Sequence, residues 1–167
     1  MYQNQHFEEA ANQRSAAFSA LRSQRRERLL GIGLTSAPEA ETPAFMGLPP
    51  MKEVEETYNG VLQGSLQAVV KATGYVNFSD PFPQQLFKKM GLPAAVVRLL
   101  DSPDPITVRQ TLLLCTNYIC ASESNTRDMV RAGIIPAVTA LFQRMAALQT
   151  TDSTICGIVE NCIWTFA

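Results

Sequence analysis

The residues most able to do chemistry in this chain are four cysteines, one histidine and a cluster of arginines. Cys115, Cys120, Cys156 and Cys162 contain no Cys-x-x-Cys pair, and His6 is the single imidazole. A structural zinc needs four nitrogen or sulfur ligands, and a dithiol redox site needs closely spaced cysteines. All four cysteines instead fall in apolar runs of helical period, which suits small core residues of a protein in a reducing compartment. A Ser–His–Asp or Cys–His site would have to use a histidine six residues from the N-terminus, in a polar stretch. Gly31-Ile32-Gly33 follows a helical segment and lacks the third glycine of a dinucleotide loop. No P-loop, G-x-S-x-G or H-E-x-x-H occurs. No catalytic residue, metal or cofactor is therefore expected, and the chain is not expected to be an enzyme.

The arginines point to binding. Arg14, Arg22, Arg25, Arg26 and Arg28 crowd the first 34 residues, with Glu27 the one acid between Arg14 and Leu30, although the whole chain carries a net charge of only −1. A basic arm on a near-neutral body docks on acidic partners. Arg22, Arg25, Arg26 and Leu29 share one side of a helix at i, i+3, i+4, i+7 spacing. No aromatic residues interleave with them, so neither nucleic acid nor membrane is the expected partner. The N-terminus lacks the apolar stretch of a secretory signal, and no apolar run approaches the ~20 residues that span a bilayer.

Three zones must position these residues. Residues 1–34 form a polar, then arginine-rich, helical arm. Residues 35–50 (TSAPEAETPAFMGLPP) form a linker in which Pro38, Pro43, Pro49 and Pro50 deny a helix. Residues 51–167 carry helical periodicity without strand-like alternation, and with 46% hydrophobic residues the chain can bury a core. This last zone repeats. GLPAAVVRLL at 91–100 matches GIIPAVTALF at 133–142, an offset of 42 residues, and LQAVVKATGYV at 66–76 lies over VRQTLLLCTNY at 108–118 at the same offset. Phe87, Lys89 and Gly91 fall on Met129, Arg131 and Gly133. Each unit predicts a short helix ending at glycine, a second helix with proline in its first turn (93–100; 136–148), and a third, strongly apolar helix (106–121; 155–167). Val108 matches Val159 at an offset of 51, so nine residues are inserted around 146–153, where a surface loop is expected.

NTRDMVRAGIIPAV (125–138) and VENCIWTFA (159–167) resemble the armadillo repeats of importin-α, the adaptor for nuclear-localisation signals; the likeness covers roughly residues 60–167. It implies an all-α fold, an armadillo-type right-handed α-solenoid of about two and a half repeats, truncated in the last. A chain stopping inside a helix at Ala167 would expose an apolar interface, so marginal stability and self-association are expected. LRSQRRERLL (21–30) is similar to the centre of that family's importin-β-binding segment. Arg22, Arg25, Arg26, Glu27 and Leu30 match in kind, with Arg28 inside the block; QRSAAF and GIGL stand where the family has basic flanks.

The family sets a Trp, and an Asn four residues on, along each third helix. The ring stacks on Lys or Arg stems, and the amide holds the peptide backbone. Carried over by residue, Asn117 takes an Asn position with Leu113 in its Trp position, and Trp164 takes the next Trp position. Asn161 replaces a groove-facing Gln, and Ala121 and Thr126 match the Gly and Thr that border the lysine pocket. On residue type alone, Trp164 fits a core aromatic as well, Asn117 an amide bonded to neighbouring helices, and the arginines a solvated helix face. The resemblance implies a nuclear-import adaptor in cytoplasm and nucleus, whose partners are signal-bearing basic cargo and an importin-β-like carrier. The alternative is a general armadillo scaffold without an import role, favoured by Leu113 and the missing basic flanks.

Overall fold

The computed structural model describes residues 49–77 and 82–166, apart from the side chains of Trp164 and Phe166. The arm at 1–34 and most of the linker lie outside the described residues. The described residues form eight α-helices and no strand. Helix α1 (Met51–Leu62) begins directly after Pro50, whose extended backbone ends the proline-rich stretch. Gly64, at φ 76°, turns the chain, and Ser65 caps α2 (Leu66–Val76) by accepting from the Ala68 amide. Then come α3 (Phe82–Met90), α4 (Leu92–Leu99) and α5 (Pro105–Ala121), followed by α6 (Glu123–Arg131), α7 (Ile134–Ala146) and α8 (Ser153–Phe166).

The second and third triplets are built alike. Gly91 and Gly133 sit at φ 88° and 90°, a left-handed backbone that a Cβ disfavours, so α3 and α6 each stop there and the next helix leaves at a new angle. Pro93 and Pro136 follow in the first turn of α4 and α7, where a missing N–H costs nothing. Phe87 and Met129 are fully buried. Asp104 caps α5, accepting from the amides of Ile106 and Thr107, and Ser122 caps α6, accepting from Asn125.

Packing is serial. Helix α2 lies along α5 and α5 along α8, the most extensive contacts of the fold; α1 packs on α2, α4 on α5 and α7 on α8, while α1 meets α4 and α4 meets α7. The core is one apolar cluster from Val54 to Cys162. Helices α1 and α2 approach closely at Gly60, where an added Cβ would stand 2.6 Å from the Ala68 Cβ. Glu53 ties the same pair together: its Oε1 lies 2.6 Å from Lys71 Nζ and accepts from the Tyr75 hydroxyl at 2.9 Å.

A pair of arginines joins successive units. Arg98 of α4 donates to the Leu62 carbonyl at the end of α1 (2.7 Å), and Arg144 of α7 donates to the Leu100 carbonyl just past α4 (3.2 Å). Each places a cation on carbonyls at the negative end of a helix dipole, an arrangement typically contributing about 0.3–1 kcal/mol.

Two details differ from the sequence expectation. The loops before α5 and α8 are nearly equal, residues 100–104 and 147–152, so the insertion does not enlarge the loop. Helix α7 runs 13 residues against 8 in α4, as the expected second helices (136–148 against 93–100) have it, with Phe142 and Met145 partly buried, and the exposed loop 147–152 lies inside the expected 146–153. The third helices also pair at an offset of 43, not 42. Tyr75 and Tyr118 are both fully buried, and Thr73 and Thr116 each donate to the carbonyl four residues back. Val70 then corresponds to Leu113, and Gly74 to Asn117.

Candidate peptide-binding face

Helix α5 has buried sides and one open strip. Thr107, Thr111, Leu112, Leu114, Cys115, Thr116 and Tyr118 are buried. Ile106, Gln110, Leu113, Asn117 and Ala121, spaced by four, three, four and four residues, are half-buried or exposed and therefore share a face. The side turned to α8 is marked by two contacts: the Thr116 and Thr165 hydroxyls lie 3.2 Å apart, and the Arg109 guanidinium lies over Gly157, where a Cβ would meet Nε at 3.0 Å. Helix α2 repeats the open strip as Gln67, Val70 and Gly74, with open space where a Gly74 side chain would stand. The pairs Gln67 and Gln110, Val70 and Leu113, and Gly74 and Asn117 occupy like positions on neighbouring helices.

Asn117 is the polar centre of this face. It is half-buried, and its amide makes no hydrogen bond with another described residue. An amide offers an acceptor and two donors, the complement of a peptide group, and an apolar surround strengthens such bonds. Ala121, exposed, ends the strip one turn further on.

Thr126 lies at the α5–α6 junction, where its hydroxyl lies within hydrogen-bonding distance of the Ile119 and Ser122 carbonyls (3.1 and 3.2 Å), so its proton serves the junction and only its lone pairs remain for a ligand. The junction is further held by Asn125, which donates to the Tyr118 carbonyl and to Gln84 Oε1. Lys88 of α3 reaches across to Ser124 Oγ and to Asp128 Oδ2, both at 2.6 Å. Asn161 is half-buried and lies between Gly157 and Thr165 at i, i+4, i+8 spacing, on the side of α8 turned to α5. Trp164 lies in the last turn of α8, its side chain outside the described residues. Arg22, Arg25, Arg26, Arg28 and Leu30 of the arm likewise lie outside them.

The structure thus brings Asn117, Leu113 and Ala121 together on one face and sets Asn161 and Thr126 to its edges. Sequence reasoning missed Val70, Gly74 and Arg109; the signal for the first two was the 43-residue register, visible in the paired Thr and Tyr of α2 and α5.

Compared with protein-family models, with curated proteins and with solved structures, the chain matches none.

The buried thiols are suited to packing. Burial pushes Cys162 up to about 11 and holds Cys115 higher still above the ordinary thiol value, so neither ionises near neutrality. Burial, with Asp128 nearby, pushes Tyr118 up to about 12; its hydroxyl is buried without a hydrogen-bond partner among the described residues. Among the described residues no group of three His, Cys, Asp or Glu is arranged to hold a metal, and no helix is long and apolar enough to cross a membrane.

Proposed function

We propose that this chain is a protein-interaction module of armadillo type, an α-solenoid whose α2–α5–α8 side binds an extended segment of a partner protein. The observation that carries this is the Asn117 amide, half-buried in an aliphatic strip and unmatched by any described neighbour. Polar groups in such places usually have partners, and an extended backbone crossing the helices supplies one. The serial packing of like helices and the repeated arginine contacts support the solenoid. Random twelve-residue peptides displayed on phage and panned on the full chain test it. Enriched peptides should compete with one another and bind Asn117→Ala at least tenfold more weakly. Absence of enrichment, or equal binding to a folded Asn117→Ala chain, refutes the reading.

A narrower reading, the nuclear-import adaptor, is favoured by the arm. LRSQRRERLL matches an importin-β-binding segment in kind, and Asn117 sits where that family keeps its backbone-holding amide. The full chain should then capture importin-β, and a chain with Arg22, Arg25, Arg26 and Arg28 changed to Ala should not. Failure of the unmodified chain to capture it leaves the scaffold reading alone.

A further inference from the structure

We infer that the occupant of the α2–α5 face is an apolar peptide bearing a carboxylate, not a lysine-rich one. This rests on the peptide-binding reading above and adds the chemistry of the ligand.

The open strips of α2 and α5 hold Gln67, Val70, Gly74, Ile106, Gln110, Leu113, Asn117 and Ala121. Val70 is 42% exposed and Ile106 50%; Leu113, half-buried, lies level with Val70 in register and two turns beyond Ile106. These positions carry neither an aromatic ring nor a carboxylate. A cation settling there would lose hydration and gain neither a π-face nor a counter-charge, whereas a Leu, Ile or Phe side chain would gain from burial against Val70 and Leu113.

Fixed charge beside the strip has the opposite sign. Arg109 lies one turn before Leu113 and two before Asn117, and its guanidinium is held over Gly157. It makes no ion pair with any described carboxylate. Glu160, one turn along α8 from Gly157, is exposed and does not pair with it. Lys71, beside Val70 on α2, is already paired with Glu53 at 2.6 Å. An unpaired guanidinium presents a planar fork matched to carboxylate. Neighbouring helices stand about 8–10 Å apart, or about three residues of extended chain. The ligand therefore carries two apolar residues about three positions apart, over Val70 and Leu113. Its Asp or Glu follows about two to four positions beyond the second, toward α8.

The twelve-residue library, panned in parallel on the full wild-type chain and on Arg109→Glu, Arg109→Gln and Leu113→Asp, each checked for helicity, tests the inference. Wild-type selections should be rich in Leu, Ile, Val or Phe with Asp or Glu at the stated spacing. Binding of those peptides should fall at least tenfold in Arg109→Glu and Leu113→Asp, and Arg109→Glu should select Lys or Arg at the acidic position. If Arg109→Glu does not fold, a tenfold loss in Arg109→Gln carries the same meaning. Lysine-rich wild-type selections, or apolar–acidic ones indifferent to both Arg109 variants, overturn the inference while the peptide-binding reading stands. No enrichment on any chain overturns both.

Discussion

Replacing Gly60 with alanine sets two effects of known size against each other. In an isolated helix the change stabilises by about 1 kcal/mol, because glycine loses more backbone entropy than alanine. Here the new methyl would stand 2.6 Å from the Ala68 Cβ, about an ångström inside the carbon–carbon optimum of ~3.5–4.0 Å. That neighbour is a methyl carried directly on the α2 backbone, so it cannot swing aside and the two helices must part. Overpacking of this kind costs about 1–3 kcal/mol. It also loosens the adjoining contacts of Val61 and Val69, both fully buried. The net expectation is a loss of about 1–2 kcal/mol, a fall in Tm of roughly 4–8 °C for a domain of this size. Ala68→Gly alone should cost about 1 kcal/mol in propensity. The double variant Gly60→Ala/Ala68→Gly should be better than the sum of the two by about 1–2 kcal/mol, since the methyl has only changed helices. Urea denaturation followed by circular dichroism reads all four corners of the cycle. A neutral or stabilising Gly60→Ala, or strict additivity, would refute the close crossing of α1 and α2.

Thiol labelling of the native chain near pH 7.5 should modify exposed Cys156 first, and Cys115 and Cys162 on the order of a hundredfold more slowly, until denaturant opens the core; prompt labelling of Cys115 in mass spectra would contradict the packing of α5. The Lys71 hydrogen bond, then that of Tyr75, holds the Glu53 carboxyl below its ordinary value of 4.5, and Lys71 is raised above 10.5, first by the same bond. A depressed acid contributes above its unfolded value and loses that contribution as pH falls through its folded one; a raised lysine contributes below 10.5 and loses it as pH climbs through its folded value. The difference in unfolding free energy between wild type and Glu53→Gln, read by urea denaturation, should thus be level from about pH 5 to 10 and shrink on both sides, staying under about 1 kcal/mol because the pair is a third exposed. A difference independent of pH would exclude the ion pair as its source.

Much of the helical framework was legible because it depends on local chemistry. Pro50 fixes where α1 starts, and the left-handed glycines 91 and 133 divide α3 from α4 and α6 from α7. The predicted third helices agree with α5 and α8 to within two residues. Neighbour-dependent features were not legible. The second helices are expected at 93–100 and 136–148, so the longer α7 was legible, but the nine extra residues were assigned to the loop before α8, which is only one residue longer than its counterpart. A helical wheel places Asn161 and Asn117 on faces, yet only the seam marked by Thr116–Thr165 and Arg109–Gly157 shows that Asn161 turns to α5. Thr126 matched a pocket position by type, but its proton is already used by backbone carbonyls around the junction. The linking arginines were missed because Arg98 and Arg144 lie 46 residues apart and break the 42-residue period.

Those two arginines give the molecule a polarity. In both cases the later segment reaches back to the earlier one, Arg98 to Leu62 and Arg144 to Leu100. Anything that pulls α7 aside therefore tugs on the tail of α4, which in turn grips α1, so mechanical strain entering at the C-terminal side is relayed toward the N-terminal side through a chain of side-chain tethers. Added salt should slacken both tethers together, softening the molecule along its length without touching the apolar spine beneath.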